Sequence, residues 1–225
     1  MTLHEPATFV TDLLLAALGL CLALKLSKSD LISPARRWWI RAMSLMAASA
    51  LAGGFYHGFA PEFPILEPWW WRVVLWIICG LGFAIGMSML HELGLGSLRF
   101  WRMALAAKLA AFAIAVFFKP EFVVAMADYG SAMIAWLIAA ICVRASWRAP
   151  MLAGLGLSIL AGVIQQTQWK LHARFNHNDL FHVIQAMALI AFYHAGRRLG
   201  PEKSGRLTRG GLAVLRADDA DRYHT

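Results

Sequence analysis

The sequence predicts an all-α polytopic membrane protein: seven transmembrane helices, with the N-terminus outside and the C-terminus inside. Three observations carry that prediction. Of 225 residues, 60% are hydrophobic and 15% charged, with a mean hydropathy of +0.58, whereas a soluble domain carries roughly 25% charge. Apolar runs of about 20 residues recur along the chain, the length that crosses a hydrocarbon core of roughly 30 Å. Strand-like alternation is absent, so each run is expected to satisfy its own backbone polar groups as a helix.

The runs fall at about 7–26, 38–58, 69–91, 102–118, 121–143, 149–168 and 178–197. The first follows "MTLHEP", which lacks the Lys or Arg of a positive n-region, so it is expected to stay in the mature chain rather than be cleaved. Breakers separate several of the others: "SPARR" before the second, "APEFPILEP" before the third, "KPE" before the fifth and "RAP" at the start of the sixth. No repeat and no long linker divides the chain. It reads as one transmembrane domain over 1–197 and a basic tail over 198–225.

Orientation follows from Lys and Arg. With the N-terminus outside, the inner side receives 16 of them, including Lys25, Arg36, Arg37, Arg41, Arg144 and seven from Arg197 onward. The outer side receives four: Arg72, Lys119, Lys170 and Arg174. The net charge of +8 is thereby assigned to inner loops and a tail facing an anionic leaflet, not to nucleic acid. Membrane lipids are the expected partners, and a bacterial inner membrane the expected location. The pairs and triplets of Trp in "ARRWWI" and "EPWWWR" read as interfacial belts. The lone cysteines Cys21, Cys79 and Cys142 lack zinc-ligand spacing and read as small buried hydrophobes.

This topology brings distant polar residues to one level. Asp12 lies one or two turns below the outer surface in span one, and His57 closes span two. His177, Asp179 and His182 open span seven, and Gln165, Gln166 and Gln168 close span six. Asp179 and His182 are spaced i,i+3, and Asn178 and His182 i,i+4, so either pair shares a face, and Gln185 extends it one turn deeper. His177 and His182 diverge by about 140° within one helix unless the chain turns at "NHND". Asn178 or Asp179 would also serve as an N-cap of span seven.

Imidazoles and carboxylates from separate helices are the donor set of a catalytic zinc, which takes three N or O ligands and leaves one position open. The expected ligands are His57 and His182, with His177 or Asp179 as the third. Asp12 is the expected proton acceptor, Asp179 a further catalytic carboxylate, and Asn178, Gln165 and Gln185 the supporting groups.

The stretches "FYHGF" and "NDLFHVIQAMALIAFYHAG" resemble the CREST superfamily: alkaline ceramidases, progestin and adiponectin receptors and bacterial haemolysin III-like proteins. That resemblance implies seven spans, and a zinc held by one histidine late in the second span and two early in the seventh. It also implies hydrolysis of lipid amides in some members. His57 and His182 fall on two of those histidine positions. At the third the chain has Asn178, with His177 one residue early. Gly53 stands where the family carries a serine, with Ser49 one turn away, and Glu67 matches the family's acidic residue only by loose spacing.

Two other chemistries compete for the same residues. His57 with His182 on the outer side, and His91 with His194 on the inner side, outline two stacked b-type haems. His182 and His194, however, lie about 120° apart around their helix. Lys108 and Asp128 are the deepest charges and sit at similar depth, which predicts an intramembrane ion pair, structural or proton-conducting. Span seven has no lysine for a retinal Schiff base.

Overall fold

In the computed structural model of the chain, the described residues are 2–28, 32–97, 99–172 and 175–200. They form α1 (Pro6–Ser27), α2 (Pro34–Phe59), a short 3-10 turn (Ala60–Glu62), α3 (Glu67–Glu92), α4 (Arg99–Phe118), α5 (Phe122–Cys142), α6 (Arg148–Thr167) and α7 (His177–Gly196). Each expected span coincides with one helix. Five of the seven (α1, α3, α4, α5 and α6) are long and apolar enough to cross a membrane. In sequence α2 carries Arg36, Arg37 and Arg41, and α7 carries His177, Asn178, Asp179, His182 and Gln185. The basic tail beyond residue 200 lies outside the described residues.

Local chemistry sets the helix ends. Pro6 and Pro34 occupy first-turn positions, where a missing N–H costs nothing, and Ser33 caps α2 by accepting from Arg36 N–H at 3.1 Å. Gln168, in the left-handed region at φ 52°, ends α6. Asn176 and Asp179 form a reciprocal capping box that starts α7.

The helices pack as a ring: α1 on α2 and α7, α2 on α3, α3 on α5, α6 on α7 and, less extensively, on α5. α4 leans on the outside against α3 and α5, and Val116 is its one buried residue. Small residues permit close approach, as expected where lipid supplies no hydrophobic drive between helices. A Cβ on Gly54 would meet Cβ of Asp12 at 2.8 Å, and one on Gly19 would meet Cβ of Ala47 at 3.2 Å, so α1 and α2 nearly touch. Towards one end of the bundle the core is aromatic. Trp39 lies edge-on to Trp136 and Phe192, both at 5.6 Å, and donates to the Phe192 carbonyl at 3.0 Å. Cys79 is buried as expected, whereas Cys21 and Cys142 are exposed on the outer surface of their helices.

Contacts between helix ends sort the two ends of the bundle. Ser33 and Arg36 bond to carbonyls of Gly196, Arg197 and Leu199, and Gly200 N–H donates to Glu92, all at the end where α1 finishes and α2 begins. At the opposite end, His4 N–H donates to the Gly58 carbonyl, and the Trp71 and Arg72 side chains bond to carbonyls of Pro120 and Phe117. That second end holds the polar cluster.

Candidate functional site

The two histidines and Asp12 do meet. His57, His182 and Asp12 line one cavity of about 120 Å³ enclosed by α1, α2, α3, α5 and α7. Gln185 and Ser49 are further polar lining groups, and the remainder is predominantly apolar and aromatic. Asp12 reaches it because α2 has no side chain at Gly53 and Gly54, so the carboxylate lies against bare helix backbone.

His182 is fixed through both ring nitrogens. Its Nε2 lies 3.1 Å from Asp12 Oδ1, and its Nδ1 lies 2.9 Å from the Thr11 hydroxyl. A hydroxyl can donate or accept, so Thr11 suits either imidazole tautomer. Asp12 is 3% exposed, and its second oxygen, Oδ2, is buried without a hydrogen-bond partner. An unsatisfied buried acceptor is costly, and this one belongs to a residue that borders the cavity.

Asp179, expected to act in catalysis or as a ligand, is committed elsewhere. Its Oδ2 accepts from Asn176 N–H at 2.7 Å, and its Oδ1 accepts from Thr8 at 3.0 Å and faces Thr11 at 3.5 Å. It is fully buried and does not border the cavity. Its position at the third residue of α7 makes it the reciprocal half of the capping box, and the two threonines of α1 consume its remaining capacity. His177, the first residue of α7, is also off the cavity; it acts electrostatically on Glu5. Asn178 accepts from the Gln165 side chain at 2.8 Å, which ties α7 to α6, and only Gln185 of the three supporting residues reaches the cavity.

His57 lines the same polar end of the cavity. Its Nδ1 lies 3.4 Å from Glu5 Oε1. That hydrogen bond, ahead of the opposing effect of partial burial, keeps the Glu5 carboxyl below its usual range. The residues before α1 strap this end of α2: His4 Nε2 lies 3.2 Å from Glu62 Oε1, and Thr2 N–H lies 3.3 Å from the same oxygen. Glu62 is thereby also held below the usual carboxylate range, chiefly by His4.

Lys108 and Asp128 pair as the sequence leads one to expect. The ammonium lies 2.8 Å from Asp128 Oδ1 and directs a hydrogen bond to the Asp128 backbone carbonyl at 2.8 Å. Asp128 is fully buried against Gly82, whose Cβ-less face makes room for the carboxylate.

The donors fit a metal in kind and in part. The 3.1 Å between His182 Nε2 and Asp12 Oδ1 is close to the roughly 3.3 Å edge that bonds of ~2.0–2.2 Å give in a tetrahedral zinc shell. Among the described residues, however, no three His, Cys, Asp or Glu side chains are drawn together closely enough to hold an ion. The assembled part is thus the Asp12–His182 pair, with His57 elsewhere on the same cavity wall.

Sequence reasoning missed Glu5, Thr8, Thr11 and Asn176. Thr8 and Asp12 are i,i+4 in "TFVTD", with Thr11 at i+3 from Thr8. That spacing puts Thr8 and Asp12 on one face of α1, and it is the available signal. No curated protein and no solved structure matches the chain. A model of a family of unknown function, DUF6962, matches residues 7–201, and the chain belongs to that family.

Proposed function

We propose that the chain is a seven-span membrane hydrolase, N-terminus out, that cleaves an amide or ester of a lipid at the Asp12–His182 end of its cavity. The observation that carries this is a buried carboxylate with one oxygen on an imidazole and the other unpartnered, beside a largely apolar cavity. Such a carboxylate is expensive to keep unless something uses it. Its likeness in layout to the CREST proteins supports the same reading.

The chain's own residues account for much of the chemistry. Thr11 and Asp12 fix the His182 ring, so its orientation is set before substrate arrives. Asp12 Oδ2 is buried without a partner, and a rotation of the carboxylate would present it to a water or to an N–H or O–H of the substrate. The apolar wall excludes bulk water and strengthens each polar contact at the head of the cavity. Were zinc held there, His182 through Nε2 and Asp12 through Oδ1 would be its ligands, the hydrogen bond between them giving way to the metal, and His57 would have to close in from the same wall, with Glu5 orienting His57 as Thr11 orients His182. Zinc there would supply Lewis-acid polarisation of a carbonyl and a nucleophile from water at neutral pH.

Metal analysis of the purified protein beside a His57→Ala/His182→Ala variant tests the reading. About one zinc per chain in the wild type, lost in the variant, together with turnover of a fatty amide or ester, is the expected result. Equal metal content in both proteins, or metal without any such turnover, overturns the hydrolase. Absence of zinc with ligand binding retained would make the cavity a receptor or carrier pocket.

A further inference from the structure

The cavity has a polar head and a closed floor, and the distance between them limits what can bind. His182 and Phe192 both line it and are ten residues apart on α7, which is about 15 Å of depth at 1.5 Å per residue. A volume of about 120 Å³ over that depth describes a narrow slot. The floor is rigid: Trp39 lines the cavity while its indole N–H is held by the Phe192 carbonyl and its ring abuts Trp136 and Phe192. Trp136 is itself fully buried, donates to the Ile85 carbonyl at 3.2 Å, and packs edge-on to Trp147 at 5.1 Å. An aromatic block tied to α2, α3, α5 and α7 at once cannot yield without disturbing the core.

We propose that this cavity takes an amphiphile with one unbranched acyl chain and an N–H or O–H at its head, and that Trp39, Ala42 and Phe192 set the longest chain admitted. The head is identified by Asp12, His57 and His182, which line one end of the cavity together, the carboxylate among them being an acceptor with one oxygen unpartnered. The single chain follows from the narrowness of the slot, and the length limit from its floor. The inference rests on the reading of the cavity as a lipid site but not on its being catalytic.

Physical chemistry gives the limit a distinct signature. A chain that leaves the bilayer for an apolar slot exchanges one hydrocarbon environment for another, so added methylenes bring little hydrophobic gain. Affinity is therefore level with chain length up to the floor. Beyond it, the chain must overpack the aromatic block or lift the head away from Asp12, and affinity falls roughly ten- to a hundred-fold.

The test uses the full chain in lipid nanodiscs and a series of saturated N-acylethanolamines of increasing chain length, with affinity read from the ligand-induced shift in thermal unfolding. The wild type should show a level region and then a cut-off. Ala42→Leu, which fills the slot near its floor, should move the cut-off to shorter chains, and Phe192→Leu should move it to longer ones. Opposite displacements cannot come from a general loss of fold. A cut-off that stays in place in both variants overturns the proposal, as does absence of binding by the wild type or equal binding of two-chain lipids. If the cut-offs move as expected while zinc and turnover are absent, the chain-length limit stands and the hydrolase falls. Turnover with an immobile cut-off leaves the hydrolase standing and removes the chain-length limit.

Discussion

Two aspartate-to-asparagine substitutions, chemically identical, should differ in their effect on stability, one costly and the other not. Asp179 receives a backbone N–H at 2.7 Å and a threonine hydroxyl at 3.0 Å in a fully buried setting. Asparagine keeps one acceptor oxygen but turns its amide N–H2 towards one of those donors. The loss is one charge-assisted hydrogen bond of about 1.5–3 kcal/mol, and a cap of α7 is lost with it, so Asp179→Asn should cost about 2–3 kcal/mol. Asp12 makes one polar contact, to His182, and leaves Oδ2 buried and unpartnered. Asparagine retains an acceptor for His182 and removes a carboxylate from a mostly apolar wall, so Asp12→Asn should be neutral or stabilising by about 1–2 kcal/mol. For a chain of this size each kcal/mol corresponds to about 2–4 °C in Tm. Thermal unfolding of detergent-solubilised protein in the presence of chelator measures both, with metal removed as a variable. Equal destabilisation by the two variants would refute the assignment of Asp179 to structure and Asp12 to function.

The strap formed by the residues before α1 should be sensitive to acid. Glu5 and Glu62 are both held below their ordinary value of 4.5 by histidine partners. A lowered folded pKa gives stabilisation that is complete above the ordinary value and is lost as pH falls through the lowered one. Protection of the amides from Thr2 to Glu5, taken relative to the intrinsic exchange rate at each pH, should accordingly fall below about pH 4.5 while protection in α3 holds; loss of protection confined to higher pH would contradict the pairing. At the Lys108–Asp128 pair, Lys108→Met should destabilise by about 3 kcal/mol or more, since it strands a buried carboxylate. Adding Asp128→Asn to Lys108→Met should recover most of that loss in thermal unfolding, and an additive second loss would show that the two do not interact.

The seven helices were legible because span length, hydropathy and breakers act locally, and each run had only one way to satisfy its backbone in lipid. The pairing of Lys108 with Asp128 was legible for a related reason: two deep charges at one depth have few other partners. Depth alone also brought Asp12, His57 and His182 together. What depth could not supply was rotation about the helix axis. Asp179 sits at the same level as His182 and only three residues away, yet one turns to α1's threonines and the N-cap while the other turns to the cavity. The sequence offered Asn178 or Asp179 as the N-cap, whereas the N-cap is Asn176 and Asp179 is its capping-box partner at the third helical position; committing Asp179 to that role required the positions of Thr8 and Thr11, which only the packing of α1 on α7 provides.

That packing also explains why so many polar groups collect beside one cavity. A histidine placed in an apolar wall adopts whichever rotamer finds a partner, so a fixed orientation must be imposed from behind. Here Thr11 holds the rear of His182, and Thr8 and Asp179 pin α1 to the start of α7, so the distance between Asp12 and His182 does not drift. Every carboxylate oxygen in that arrangement has a partner or near neighbour except Asp12 Oδ2. A network built for stability alone would have satisfied that oxygen as well, and a threonine or serine at Gly53 on α2, within 4 Å of it, would have sufficed. Leaving a glycine there leaves the acceptor without a partner. Gly53→Ser should therefore raise Tm while abolishing ligand binding and turnover, and a Gly53→Ser protein that still binds the N-acylethanolamine series with unchanged affinity would show that the open oxygen is not where the ligand's head is held.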